Sequence, residues 1–248
     1  MIAALPMYDR PENAASHDAL WAATRDALRA AGVGAPETLD RDIGLMEGWT
    51  HPDLVLGQTC GLPFRTRLHD RVTLVATLDY ALPDTPPGYY RSLFVTRADD
   101  PGEIADFAAR RFAYNQPDSH SGWAAPQIAA AALGFRFQPT LETGSHRASA
   151  RAVAEGRADI AAIDWITWRG IERWEPEIAR ALRILGATPA APGQALIASP
   201  GADAPATFAA LTAAMAALSP GDRETLGIAG ITRIPVADYL AQPTPPGP

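Results

Sequence analysis

Short apolar runs alternate along this chain with segments whose apolar residues recur at helical spacing. Each short run is typical of a buried strand, and each longer periodic segment is typical of a helix. Strands are predicted at 2–5, 54–56, 72–78, 93–95, 111–114, 139–142, 159–163 and 195–198. Helices are predicted at 16–31, 124–133, 147–155, directly after Asp164, and at 204–218. This alternation predicts an α/β fold.

Two segments rich in Pro, Gly and Asp interrupt the pattern, at 83–101 and at 188–193. Such composition suits a crossing between lobes. We therefore expect a discontinuous lobe 1 of residues 1–92 plus 192–242, a lobe 2 of residues 93–191, and a hinge and central cleft. The terminal residues 243–248 are predicted to be a disordered tail.

Composition excludes several functions. The chain has 248 residues, 47% of them hydrophobic, which is enough for one large domain or two smaller lobes. A net charge of −7 argues against a nucleic-acid partner, because phosphate contacts need clustered basic residues. All basic residues are arginines. The absence of lysine excludes a P-loop, a pyridoxal phosphate Schiff base and a Ser-x-x-Lys nucleophile.

Cys60 is the single cysteine, so neither an internal disulfide nor a cysteine-based zinc site is possible. We expect no cofactor, no metal and no membrane insertion, and a monomer. The first residues carry no charged segment followed by a long apolar one, so no signal peptide is expected in this chain. The expected compartment is the periplasm if a leader was removed, and otherwise the cytoplasm.

The most informative stretch lies between the predicted strand 111–114 and the helix 124–133. Ser119, His120, Ser121 and Gly122 place hydroxyls and backbone N–H groups at the start of a helix, where the dipole favours an anion. Proline is tolerated only in a first helical turn, so Pro126 predicts a start near residue 124 and an exposed loop or opening turn before it. Helix capping by serine is the alternative interpretation.

Other polar residues also follow predicted strands, where α/β sheets place their ligands. Gln58 and Thr59 offer neutral donors, and Asn115 is placed to brace the serine loop. Asp164 ends a buried strand, so it either caps the next helix or receives a ligand amine or hydroxyl. His146 follows a Gly-Ser pair at a helix start, where the dipole disfavours its protonation.

The alternatives for the remaining candidates stay open. His120 and His146 are ordinary capping or surface histidines unless they contact a ligand. Trp123, Trp165 and Trp168 line either an aromatic cage for a cation or the core, and the core is favoured for Trp168. Cys60 is a small buried filler or a nucleophile.

Several loops together resemble the phosphonate- and phosphate-binding components of ABC importers, within the type 2 periplasmic binding protein superfamily. The resemblance covers nearly the whole chain and rests on these stretches: 5–8, 57–64, 88–92, 115–126, 143–149 and 156–164. It implies two α/β lobes that close on a ligand by a hinge. It also implies that Ser119, His120, Ser121 and His146 hold a phosphorus oxyanion and that Asp164 receives an amine. Tyr8 and Tyr90 are expected as walls.

The expected function is a solute-binding protein that captures a small anionic or zwitterionic molecule, phosphonate- or phosphate-like, for ABC-type uptake through a permease. Two alternatives remain. One is an enzyme on the same scaffold that uses His120, His146 and Asp164 for acid–base chemistry without pyridoxal phosphate. The other is a ligand sensor that reports to a partner protein.

Overall fold

The structure is a computed structural model that describes residues 1–248. The strands, in chain order, are β1 Ile2–Ala4, β2 Leu54–Thr59, β3 Thr73–Asp79, β4 Tyr89–Tyr90, β5 Ser92–Arg97, β6 Phe112–Tyr114, β7 Pro139–Glu142, β8 Ile160–Asp164, β9 Leu182–Ala187, β10 Ala191–Pro192, β11 Ala195–Ala198 and β12 Gly230–Thr232. The α-helices are α1 Ala14–Ala30, α2 Leu45–Trp49, α3 Gly61–Pro63, α4 Ala125–Ala132, α5 His146–Ala154, α6 Trp165–Trp174, α7 Pro176–Ala181, α8 Ala204–Ala217, α9 Pro220–Leu226 and α10 Val236–Leu240. Two π-helical turns, Phe64–Leu68 and His120–Ala124, and a 3-10 turn, Ile104–Phe107, complete the chain.

The chain forms two compact units. Unit 1 comprises Met1–Tyr89 and Pro192–Ala241, and unit 2 comprises Tyr90–Ala191 and Gln242–Pro248. The sequence placed the first boundary after residue 92. In the structure β5 begins at Ser92 and pairs with β8 and β9, so Tyr90 and Ser92 belong to unit 2.

The core of unit 1 is a mixed five-stranded sheet in the order β1-β2-β11-β3-β12. β1 runs parallel to β2, whereas β11 is antiparallel to both β2 and β3. Apolar side chains from this sheet pack with the π-helical turn after α3, so Phe64 and Leu68 are fully buried beside Ile197. Because β1 and β2 are parallel, Tyr8, which follows β1, and Gln58, at the end of β2, lie towards the same edge of the sheet.

Unit 2 contains a second five-stranded sheet in the order β7-β6-β8-β5-β9. β8 is the central strand and is apolar until its last residue, as expected for a strand that is covered on both faces. One apolar cluster includes Ile163 and Trp168, and the other includes Phe112 and Phe137. β6, β7 and β8 run parallel, so the residues after all three strands lie at the same edge.

Local sequence signals explain where several helices of unit 2 begin and end. Ser145 caps α5 by accepting a hydrogen bond from the backbone N–H of Ala148, at 3.1 Å. Gly156 follows α5 with a φ of +73°, a left-handed conformation that glycine adopts without a Cβ penalty. The predicted start and stop of this helix are thus confirmed.

The segment after α10 was predicted to be disordered. It forms no helix or strand, but two of its carbonyl groups accept hydrogen bonds from unit 2 side chains. Pro246 O accepts from Trp123 Nε1 at 3.0 Å and from Arg136 Nη2 at 3.2 Å, and Gly247 O accepts from Arg136 Nη2 at 2.9 Å. The Pro246 carbonyl thereby satisfies the indole N–H of Trp123, which the core otherwise surrounds.

Candidate functional site

The serine loop of unit 2 forms a π-helical turn that continues directly into α4. Ser119 has an extended backbone and caps this turn, because its Oγ accepts a hydrogen bond from the Gly122 backbone N–H at 3.0 Å. Ser121 Oγ lies 3.3 Å from Ser119 Oγ. The sequence predicted an exposed loop or an opening turn here, and the structure forms an opening turn. Residues 119–124 are buried because the turn packs against β8 and the core.

His146 extends this pair of serines into a chain of three polar side chains. Its Nε2 lies 2.6 Å from Ser121 Oγ, and its Nδ1 lies 3.1 Å from the carbonyl oxygen of Ala162 and 3.4 Å from the backbone N of Asp164. The Ala162 carbonyl can only accept a hydrogen bond, and it is the closer partner, so we assign the ring proton to Nδ1. The Ser121 hydroxyl then donates to Nε2.

Burial of the ring lowers the pKa of His146 to about 4, and the hydrogen bond to the Ala162 carbonyl opposes this shift only partly. His146 as a residue is partly exposed, but both ring nitrogens are hydrogen-bonded within the protein. The imidazole is therefore neutral at physiological pH, as the sequence predicted. The neutral ring orients Ser121 by accepting a hydrogen bond from its hydroxyl.

Gly122 allows an unusually close approach of Asn115. A Cβ on Gly122 would overlap the Asn115 amide oxygen and would lie 3.2 Å from His146 Cε1. The same amide oxygen is buried and has no hydrogen-bond partner. Asn115 thus presents an unused acceptor directly beside the serine turn, whereas the sequence predicted it to brace that turn.

Asp164 lies at the end of β8 and is 1% exposed. Its Oδ1 accepts hydrogen bonds from the backbone N–H groups of Ile166, at 2.8 Å, and Thr167, at 3.2 Å, so it caps α6. The capping alternative is therefore confirmed.

Ser92 is directly opposite Asp164 in the β5–β8 ladder, and its buried hydroxyl has no hydrogen-bond partner. The sequence analysis missed Ser92, because a serine at the first position of an apolar strand does not by itself indicate a binding site.

The aromatic candidates of unit 2 have different surroundings. The Tyr90 ring lies 6.1 Å from the His120 ring, which brings these two predicted residues together. Trp123 contacts Tyr114 at a ring-centroid distance of 5.1 Å and belongs to the core cluster, as Trp168 does to the other. The core alternative therefore holds for both tryptophans. Trp165 packs against the cluster that contains Ile163 and Trp168.

The predicted residues of unit 1 lie at the ends of β1 and β2. Gln58 and Thr59 are buried in β2, and Tyr8 packs edge-on against Tyr80 at 5.2 Å. Gln194, which the sequence analysis missed, donates a 3.3 Å hydrogen bond from Nε2 to the Tyr8 hydroxyl. The sequence signal that could have identified Gln194 is its position as a polar residue directly before the apolar strand 195–198. Cys60, the single cysteine, is buried.

Unit 1 also contains a cavity of about 310 Å³, lined by residues that include Pro6, Asp9, Arg41 and Trp49. Its charged groups are paired, since Arg41 donates to Asp9 Oδ2 at 2.7 Å and to Asp18 Oδ1 at 2.8 Å. The wall of the cavity is therefore mostly apolar, and the guanidinium group of Arg41 is paired with two carboxylates.

No three His, Cys, Asp or Glu side chains lie together in a group that could hold a metal ion. No helix combines the length and the apolar character that a membrane span requires.

Solved structures with the same fold cover almost all of the chain. A phosphonate-binding protein, PhnD1 of Prochlorococcus marinus in complex with methylphosphonate, has a TM-score of 0.70 at 17% identity over 96% of this chain and 94% of its own. A binding protein component of an ABC phosphonate transporter (PA3383) from Pseudomonas aeruginosa has a TM-score of 0.70 at 20% identity over 96% of this chain and 82% of its own. XAC2383 from Xanthomonas citri, bound to chloride, has a TM-score of 0.68 at 16% identity, over 97% and 96% of the two chains. These likenesses define an α/β fold of the periplasmic-binding-protein class.

Sequence comparison gives the family within that class. The model of the ABC-transporter phosphonate periplasmic substrate-binding proteins matches residues 59–240, although no curated protein sequence matches the chain. The chain belongs to this family of phosphonate substrate-binding proteins. The resemblance expected from the loops is thus confirmed, and so is the α/β fold class.

Proposed function

We propose that this protein captures a small organic anion of the phosphonate class and holds its phosphonate group at Ser119, Ser121 and His146. The observation that carries the proposal is the hydrogen-bonded chain of these three side chains at the start of the helix formed by residues 120–132. Membership of a phosphonate-binding family supports the chemical class of the solute.

The physical basis is an anion site made of neutral groups. The first N–H groups of a helix have no intrahelical partner, and the dipole at this end favours negative charge. Ser119 Oγ accepts from Gly122, and because Ser121 donates to His146, the Ser119 hydroxyl donates to Ser121 Oγ in the chain without solute. A phosphonate oxygen can take over this hydrogen, because a charged acceptor binds it more strongly than a neutral hydroxyl does. Ser121 donates to His146, so its oxygen accepts from a protonated phosphonate oxygen.

Tyr90, His120 and Asn115 are proposed as further contacts, because they lie at or beside the same turn. Asp164 is proposed to receive a ligand amine or hydroxyl in addition to its capping role. Tyr8, Gln58 and Thr59 are proposed as solute contacts of unit 1.

Titration calorimetry with methylphosphonate tests the anion site. Ser119→Ala and Ser121→Ala each remove a hydrogen bond to a charged group, and such a bond contributes about 1.5–3 kcal/mol, so affinity should fall about 10- to 100-fold. Ser219 provides the matched control, because its Oγ also caps a helix, accepting from Asp222 N at 3.0 Å in unit 1. If Ser219→Ala weakens binding as much as the two other variants, the assignment is wrong.

Delivery of the solute to an ABC permease, without chemical change, is the second half of the proposal. Deleting the gene should abolish uptake of the bound phosphonate by cells, and the Ser121→Ala protein should fail to restore it. The solute should have an unchanged mass after incubation with the protein. A change in that mass would instead support acid–base catalysis through His120, His146 and Asp164.

A further inference from the structure

Three glutamines are deeply buried, and they differ in how their amides are satisfied. Gln58, Gln127 and Gln194 are 2%, 3% and 5% exposed. Gln127 uses both amide atoms: Nε2 donates to Phe137 O at 2.9 Å, and Oε1 accepts from Phe137 N at 3.1 Å. By contrast, Gln58 Nε2 and Gln194 Oε1 are buried and have no hydrogen-bond partner. A buried polar atom without a partner is costly, so these two need an explanation that Gln127 does not.

The two unsatisfied amides lie on the same face of the unit 1 sheet. In the antiparallel pair of β2 and β11, Gln58 is opposite Leu196 and Thr59 is opposite Ala195. Gln194 directly precedes β11, and extending the alternation of side chains by one residue places it on the face of Leu196 and therefore of Gln58. The two glutamines are diagonal neighbours, with Cα atoms roughly 7–8 Å apart, a separation that long side chains can span.

The pair supplies one donor and one acceptor and carries no charge. Gln58 Nε2 is the unused donor and Gln194 Oε1 is the unused acceptor. Gln194 Nε2 is occupied by the Tyr8 hydroxyl, at 3.3 Å, which holds the amide in place. A group that both accepts and donates a hydrogen bond, such as an alcohol hydroxyl or a carboxamide, satisfies both atoms at once. An apolar group satisfies neither.

We propose that Gln58 and Gln194 form a donor–acceptor pair that binds a neutral hydroxyl or carboxamide group of the solute. Gln58 Nε2 donates to the oxygen of that group, and Gln194 Oε1 accepts its hydrogen. The assignment rests on the proposed function for the anionic end of the solute. It adds that the preferred phosphonate carries a hydroxyl or amide rather than an alkyl group alone.

Thermal unfolding without any solute tests whether these amides are structural. Methionine is close in length to glutamine and has no amide. Gln58→Met removes a buried atom without a partner and should raise the melting temperature by about 2–4 °C. Gln127→Met breaks two made hydrogen bonds and should lower it by a similar amount. A drop for Gln58→Met that matches the drop for Gln127→Met would overturn the proposal.

Titration calorimetry with two probes tests recognition. Methylphosphonate and hydroxymethylphosphonate differ by one hydroxyl. The wild type should bind the hydroxylated probe about tenfold more tightly than methylphosphonate, and Gln58→Met and Gln194→Met should each reduce this ratio of affinities to about one. A preference that persists in both variants, or is absent from the wild type, contradicts the pair. If neither probe binds the wild type, the proposed function fails, and the melting comparison still decides whether the Gln58 amide has an unsatisfied donor.

Discussion

His146 should make the folded protein sensitive to mild acid. Its pKa is lowered by burial from 6.5 to about 4, so the folded state keeps the ring neutral where the unfolded state takes up a proton. Stability falls as pH decreases wherever the unfolded state binds more protons. The contribution of His146 is therefore fully present above pH 6.5 and is lost progressively as pH falls from 6.5 towards 4.

The magnitude follows from the width of this window. Between pH 6.5 and pH 5.0 the unfolded ring becomes protonated over 1.5 pH units, and the folded ring stays mostly neutral. At about 1.4 kcal/mol per unit, the wild type should lose roughly 2 kcal/mol of unfolding free energy between pH 7.5 and pH 5.0 from this residue. His146→Gln removes the titrating group and should not show this loss.

Urea denaturation at pH 7.5 and pH 5.0 measures the effect. The other titrating groups, which include His17 with a pKa lowered by burial, contribute to both proteins and cancel in the comparison. His51→Gln, a substitution in a turn outside the serine site, is the control and should retain the wild-type loss. Equal pH dependence in the wild type and His146→Gln would refute the assignment of a buried neutral imidazole.

Two substitutions test the packing of unit 2. Gly122→Ala should cost about 1–3 kcal/mol and abolish methylphosphonate binding, because the new methyl group would overlap the Asn115 amide oxygen. Gly230→Ala, where a Cβ would meet nothing within 4 Å, is the control, and equal losses of binding would contradict the close approach. Arg147→Met should lower the unfolding free energy by about 2 kcal/mol, because Arg147 donates at 2.6 Å to the buried carboxylate of Glu175. A urea midpoint unchanged from the wild type would show that this carboxylate does not depend on the arginine.

Local features of the structure could be predicted because they depend on residues close together in the sequence. The cap at Ser145, the glycine stop at Gly156 and the cap at Asp164 each involve atoms within a few residues. The apolar run before Asp164 predicts a central strand for the same reason. The loops after such strands also point to the serine turn as the site.

The boundaries and the burial of the site could not be predicted in this way. Pro126 predicted a helix start near residue 124 and left 119–123 as an exposed loop or an opening turn. The structure buries that segment as a π-helical turn, since β8 and the aromatic core cover it. The position of Ser92 in unit 2 likewise depends on strand pairing, which joins residues 92–97 to two strands far along the chain.

The sequence by itself determined the α/β class, the family resemblance and most of the residues around the serine turn. Only the tertiary structure decided how they act together. The 2.6 Å contact of Ser121 with His146 joins residues 25 positions apart, and the shared face of Gln58 and Gln194 arises from the pairing of β2 with β11. The physical reason is that hydrogen bonds, burial and pKa depend on neighbours in space, which local propensity does not specify.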